Sequence, residues 1–264
     1  MKFGLSAVEK EWIKVEKNEQ TYLKKNTRKQ DSKLNRFLED KVPAGLQTTL
    51  DNAFAKAFHI VFDKGTEMIE KTYKKEDLEK DYKINAYTAQ MKENRKNLKV
   101  FSKKASGVGA SNLLLSGVSG IGMGVLGIGI PDIVVFTSLM LRSIYEISLS
   151  FGFDYKREEE KKFILLVIQG AIAYDEELLR INQELNYFME NGRFMTAFDM
   201  EKLIKNTAAG LSKELLYMKF LQGIPVVGVV GGAYDVLYMK RINQYAEMKY
   251  RRRFLSSKVN RKAL

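Results

Sequence analysis

The chain has no cysteine, one histidine and three prolines in 264 residues. Without cysteine there is no disulfide framework, no thiolate zinc site, no cysteine nucleophile and no redox pair. A single imidazole cannot supply the two or three that most transition-metal sites use. No metal and no cofactor are therefore expected. Phosphate-binding GxxxxGK is missing, and the run Gly117-Val118-Ser119-Gly120-Ile121 lacks the final glycine of a GxSxG elbow. Period-two apolar strands bounded by Asn-Gly or Asp-Gly turns are missing too, which argues against a β fold. The 45% apolar and 29% charged composition is that of a globular chain, long enough for one large domain or two small ones.

What is present is charge of one sign, in two places. The chain carries 44 Lys and Arg against 32 Asp and Glu, a net +12. Residues 1–104 hold 24 basic and 16 acidic groups, residues 105–239 hold 11 and 15, and the last 25 hold nine basic groups against Glu247 alone. Two basic ends thus flank a slightly acidic, apolar middle. Such an excess draws anionic lipid or nucleic acid through long-range electrostatics and says nothing about fold.

The middle contains 27 consecutive uncharged residues, Ala105 to Pro131, followed after Asp132 by a second apolar run, Ile133 to Leu141. That is long enough to cross a bilayer, which takes about 20 apolar residues. Eight of the 27 are glycines, however, and glycine costs a helix about 1 kcal/mol relative to alanine in water. Gly120 and Gly124 form a small-xxx-small pair of the kind that lets apolar helices approach closely. A shorter copy of this texture, Phe220 to Tyr234, has Pro225 placed as Pro131 is, and repeats the spacing at Gly228 and Gly232. Two readings stay open: glycine-faced helices buried in a helical core, or membrane-inserting hairpin elements.

The remainder reads as helix. Ser6 and Glu9 form a capping-box signal, after which Val8, Trp12, Val15, Tyr22 and Leu23 follow helical spacing. Pro43 ends this charged arm of residues 1–42, and Leu46, Leu50, Phe54, Phe58 and Val61 mark one face of the next helix. A helical piece is expected over Tyr87–Phe101. Pro131 suits the first turn of a helix running to about Phe151, with Gly152 as a left-handed stop. Asp154 is expected to cap the next helix, with Glu158, Glu159 and Glu160 near its positive end. Further helices are expected from Asp175 to Asn191, from Asp199 towards Phe220, and from about Gly232 to Ser256.

Candidate chemistry is sparse. Gly122-Met123-Gly124-Val125-Leu126-Gly127 satisfies GxGxxG, but no predicted strand precedes it. His59 lies one helical turn from Asp63, the spacing of a His-carboxylate couple, and the bland alternative is a packed or partly exposed side chain. Asp132 and Asp235 each adjoin a Pro/Gly-rich apolar run. They are expected either to cap helices and pair with Arg142 or Arg241, or to form a paired acid in a dry setting. In the last helix, Tyr234, Leu237, Tyr238, Ile242, Tyr245 and Met248 recur at helical spacing. Lys240, Arg241, Lys249, Arg251, Arg252 and Arg253 enrich its ends and other faces, as in a basic amphipathic helix on an anionic membrane surface. Nucleic acid is not expected, since neither exposed stacking aromatics nor a helix-turn-helix turn is evident.

Gly127–Asp154, GIGIPDIVVFTSLMLRSIYEISLSFGFD, and Ile224–Leu255, IPVVGVVGGAYDVLYMKRINQYAEMKYRRRFL, resemble the two signature regions of the EcsC family of bacterial proteins. The likeness is a glycine-rich run ending in Pro131-Asp132, a helix with central Arg142, a stop at Phe151-Gly152-Phe153-Asp154, and later Pro225 leading into a helix that ends in Arg253-Phe254-Leu255. Trp12 and the Val42-Pro43 break look similar too. Asp235 departs from the pattern, which usually carries Asn there. The resemblance implies a cytoplasmic or membrane-peripheral bacterial protein whose namesake is encoded beside an ABC transporter linked to protein secretion. It implies no catalytic residues.

The expectation is a single all-α domain over 1–264, a bundle of about seven to nine helices with the two Gly-rich elements packed together and signature regions at 105–154 and 220–256. It would act as an accessory protein rather than an enzyme on the cytoplasmic membrane face, partnered by anionic lipid or a membrane protein such as an ABC transporter. The charged start, Met1 to Asn35, argues against a signal peptide. The alternatives are a hydrolase-like enzyme with an Asp-lined pocket and an integral membrane hairpin.

Overall fold

Local capping chemistry sets most of the helix ends. The computed structural model describes residues 4–26, 44–123, 130–221 and 233–260, with side chains described for 4–26, 45–109, 133–216 and 238–259. In chain order they form α1 (Ala7–Asn26), then α2 (Ala44–Ile60), which continues through a π-helical turn (Val61–Gly65) into the short α3 (Thr66–Glu70). There follow α4 (Lys75–Met91), α5 (Arg95–Met123), α6 (Ile130–Ser150), α7 (Glu158–Ile172), α8 (Asp175–Asn191), α9 (Met200–Leu221) and α10 (Ala233–Asn260). Nine helices of 15 residues or more and no strand occur among the described residues, so the fold is all-α.

The predicted capping box closes both ways: the Ser6 amide donates to Glu9 at 2.6 Å and the Glu9 amide to the Ser6 hydroxyl at 3.2 Å. Asp199 accepts from the Lys202 amide at 2.8 Å at the start of α9. Gly152 and Gly192 adopt the left-handed stops, with φ of 82° and 70°. Two expectations are corrected. Tyr87–Phe101 is not one helix: Lys92 is extended, and Asn94 accepts from the Asn97 amide at 2.9 Å, so a competing cap starts α5 afresh. Asp154 does not cap α7, which begins at Glu158; its carboxylate accepts from the Lys156 amide at 3.0 Å, two residues on, in a turn. The three glutamates do occupy the first turn of α7, where the helix dipole favours them.

The core is centred on α7. Every residue from Phe163 to Ile172 is buried, because α8, α9 and α10 cover the helix on different sides, and a helix that is apolar all round requires such cover. Gln169, its polar exception, donates to the Thr207 hydroxyl at 2.8 Å. Close approach of α10 depends on Gly170, where a Cβ would lie 2.6 Å from the Tyr245 ring. The last helix is the spine of the molecule, packing on α1, α5, α6, α7 and α8. On the outside, α4 lies across α5 and α6, seating the Tyr82 ring against Phe101 (5.8 Å between centroids) and over Gly152.

Gly152 is thus held by its dihedral and by a neighbour. A Cβ there would sit 2.1 Å from the Tyr82 ring at φ 82°. Gly152→Ala combines overpacking with left-handed strain and is expected to lower unfolding free energy by about 2–4 kcal/mol. A denaturant titration with an unchanged midpoint would refute the account.

Candidate functional site

Of the six cations expected to meet a membrane on α10, only Lys240 is exposed; it borders a cleft with Ser106, Gly109, Asn243 and Glu247. The other five turn inward. Lys249 has no exposed side-chain surface and pairs with Glu19 at 2.7 Å. Its ammonium also donates to Asn182 and, at 3.0 Å, to Asn186. Arg252 reaches Glu19 at 2.9 Å and stacks 4.7 Å from the Trp12 ring centroid. Arg251 meets Glu11 at 2.5 Å, and Arg95 meets the same carboxylate from α5 at 2.7 Å. Both oxygens of buried Glu160 accept from Arg253, at 2.9 and 2.7 Å, while its guanidinium lies over Phe153, Phe163 and Phe188. Arg241 donates to Tyr174 and to the Ala173 carbonyl, at 3.2 Å for the latter. Lys249, Arg251, Arg252 and Arg253 thus have their charge engaged by carboxylates within the fold, and Arg241 is held by the neutral oxygens of Tyr174 and Ala173.

Two of these carboxylates, Glu11 and Glu19, were missed in the sequence. Both belong to the buried stripe of α1, Val8, Glu11, Val15 and Glu19, and the signal was available: glutamates eight apart fall on the same side as the apolar positions. Burial pushes the Glu19 carboxyl up, but the Lys249 and Arg252 charges and hydrogen bonds from Lys249 and Asn186 outweigh it and hold the pKa at about 2. Burial pushes the Lys249 ammonium down to about 8, with Glu19 partly restoring it.

The ends of the helices define a second feature. Phe101 contacts Phe254, Ser106 donates to Glu247 at 2.8 Å, and Asn243 donates to the Gly109 carbonyl at 3.3 Å, so α5 and α10 run antiparallel. Ser143 donates to Asn243 at 2.8 Å and Phe151 contacts Phe254, so α6 and α10 run parallel. Gln169 donates to Thr207 and Ile172 lies against Gly210, so α9 runs parallel to α7; Glu160 accepts from Arg253 and the Ala173 carbonyl from Arg241, so α10 runs antiparallel to α7 and therefore to α9. The C-terminal ends of α5 and α9 and the N-terminal ends of α6 and α10 therefore share one end of the bundle.

Asp132 and Asp235 are each the third residue of a helix there, α6 and α10. From the Ser143–Asn243 register their backbones differ by about 4–5 Å along the axis, at 1.5 Å per residue. Their side chains lie outside the described residues, as do Gly124, Gly228, Gly232 and Pro225; Pro131 falls in the first turn of α6 as expected, and Gly120 lies on α5. Arg142 pairs with Glu146 at 2.7 Å and stacks over Tyr73.

No described contact joins His59 to this end. His59 is a partly exposed side chain, 38% accessible, and meets Glu201 at 3.3 Å; the alternative couple with Asp63, which enters the π-helical turn, does not form. What precedes Gly122 is helix α5 and not a strand, so the GxGxxG string lacks its dinucleotide-binding context. No three His, Asp or Glu side chains converge to hold a metal among the described residues. A cleft of about 230 Å³ beside Tyr174 is lined by Gln169, Asn206, Lys213 and Glu214. Burial pushes the Glu214 carboxyl up, against the hydrogen bond from Tyr238 and the Arg241 charge. The cleft mixes donors and acceptors without a nucleophile–base pair.

Among the described residues one helix, α6, is long and apolar enough to cross a membrane, with mean hydropathy 1.4 over Ile133–Ser150. Met140, Leu141, Ile144, Tyr145 and Ile147 are nevertheless fully buried against protein, together with Thr137, Ser143 and Ser148. The covered face is that of a core helix.

An all-α bundle with two signature regions meeting along α10 is the class these features define. The chain matches the EcsC protein family over residues 6–255 and belongs to that family. It is similar to the uncharacterized protein YdbA of Bacillus subtilis, 25% identical over 159 residues, 59% of this chain and 58% of that protein. The match thus spans little more than half of that relative. No solved structure matches.

The Glu19 carboxyl, lowered from 4.5 to about 2, contributes stability that is present above pH 4.5 and lost as pH falls towards 2. Glu19→Gln is expected to cost about 3 kcal/mol or more at pH 7, leaving Lys249 buried and unpaired, and to flatten the acid limb of stability against pH. Denaturation curves at several pH values check both, and an unchanged acid limb would contradict the assignment.

Proposed function

We propose that this EcsC-family protein associates peripherally with the cytoplasmic face of the membrane, as an accessory protein, through the end of the bundle from which both uncharged glycine-rich runs depart. The supporting observation is the helix register. It brings together the helix ends that flank residues 124–129 and 222–232, within uncharged sequence stretches of 27 and 15 residues. The helix ends beside both runs share one end of the bundle, so uncharged sequence of the kind that an interfacial bilayer region accepts is joined to the fold there.

Lys249 and Arg251 to Arg253 play no part in this reading, since carboxylates within the fold neutralise them. Exposed lysines lower on the body, Lys24, Lys25, Lys213 and Lys240, border the apolar end together with the acidic first turn of α8. The mixed charge of that border leaves the apolar runs as the source of affinity.

Flotation with phosphatidylcholine vesicles tests the proposal. The protein is expected to float with the vesicles in high salt and to be released by alkaline carbonate. A lysine placed in each run, Val118→Lys with Val227→Lys, should return it to the soluble fraction, at about 2.5–3.5 kcal/mol per charge moved into apolar surroundings. Wild-type protein that binds vesicles of no composition would sink the reading.

A further inference from the structure

Helix α4 has apolar residues on two opposite faces, and only one is used by the fold. Its inner face, Leu78, Tyr82, Ala86 and Ala89, packs against the core. On the opposite side Ile84, Tyr87 and Met91 stand 54%, 65% and 70% exposed, at the i, i+3, i+7 spacing of a helical stripe. They are among the most exposed large apolar side chains described.

Cations surround the stripe. Exposed Lys80 and Lys83 lie one turn before Ile84 and Tyr87, and exposed Lys92, Lys96 and Lys99 continue over the corner into α5. Between residues 82 and 99 there are five basic groups and one acidic residue, Glu93. One of the five, Arg95, turns inward to Glu11, leaving the four lysines outside. The acids of α4 sit at its other end or on its flank, with Glu79 near Lys75 at 3.9 Å and Asp81 paired with Lys104. The helix dipole accounts for neither feature: the last turn of α4 carries no basic residue, Lys96 and Lys99 lie in the first turns of α5 where the dipole disfavours cations, and three exposed apolar residues stand among the lysines.

We propose that the outer face of α4 and the α4–α5 corner lies flat on an anionic lipid surface. The stripe is the convex side of one helix backed by α5 and α6, so it offers a plane rather than a groove for a partner helix. An in-plane amphipathic helix uses this composition: Tyr and Met enter the headgroup boundary while lysine stems reach along the surface to anionic headgroups. The assignment rests on the membrane reading above and deepens it, naming the lipid class and the flank that faces it. Tyr82 of α4 meets Phe101 early in α5 and Gly152 just past the end of α6, so this flank lies towards the pole opposite the one that adjoins residues 124–129 and is a separate contact with the surface.

Vesicles of phosphatidylcholine alone and of an equal mixture with phosphatidylglycerol separate the possibilities. Wild type is expected to bind the anionic vesicles more tightly, with the difference vanishing in high salt. Lys83→Glu, Lys92→Glu, Lys96→Glu and Lys99→Glu combined should weaken anionic binding at least about tenfold, given ~1 kcal/mol per lysine near a charged surface, and leave binding to phosphatidylcholine intact. Tyr87→Ser with Met91→Ser should weaken both. All six side chains are exposed, so an unchanged circular dichroism melt certifies each variant. Equal wild-type binding to the two vesicles, or a charge-reversed variant that binds as wild type, overturns the assignment while the membrane reading stands; binding to neither sinks both. If polyglutamate is held by these lysines and vesicles are not, the face docks an acidic protein, and the lipid assignment is wrong.

Discussion

The Lys249 ammonium is buried without any exposed surface, and the arrangement of both chain ends follows from satisfying it. An ammonium has three donors and no acceptor, and an uncompensated one in the interior costs several kcal/mol. Glu19, Asn182 and Asn186 each take one donor. Glu19 in turn accepts from Arg252 and Asn186, so α1, α8 and α10 are joined at one point. Moving α1 would leave Lys249 and Arg252 without their carboxylate, and Arg251 without Glu11. The first helix of the protein is therefore positioned by the last.

This neutralisation changes what the net charge of +12 means. In the sequence the two basic ends look alike, each an excess available to an outside partner. In the fold Lys249 and Arg251 to Arg253 are engaged by α1, α7 and the aromatic rings around them, Trp12 and Phe153 among these, whereas Lys240 stays exposed. Exposed cations remain on α1, α4, the first turns of α5 and elsewhere on the body, Lys202 and Lys213 among them. The membrane association proposed above does not draw on Lys249 or Arg251 to Arg253.

Most local signals are borne out, the Asp154 cap being an exception. The capping box at Ser6, the Asp199 cap and the glycine stops at 152 and 192 each depend on residues within four positions of one another. Tyr87–Phe101 failed because Asn94 forms a cap that propensity over a longer window conceals. His59 is partly exposed, as the simpler reading has it, but its partner, Glu201, comes from α9 and has no local signal. Asp132 and Asp235 could not be related at all until the parallel register of α6 and α10 put their helix starts at one end.

By itself the sequence determined the helical class, most helix ends, the family and the two uncharged runs, because periodicity, capping and composition act over one or two turns. Tertiary structure alone decided which charges face water and which helix ends share a pole. Those outcomes depend on contacts such as Glu19 with Lys249, 230 positions apart, where the cost of burying a charge is set by a partner that no local pattern names.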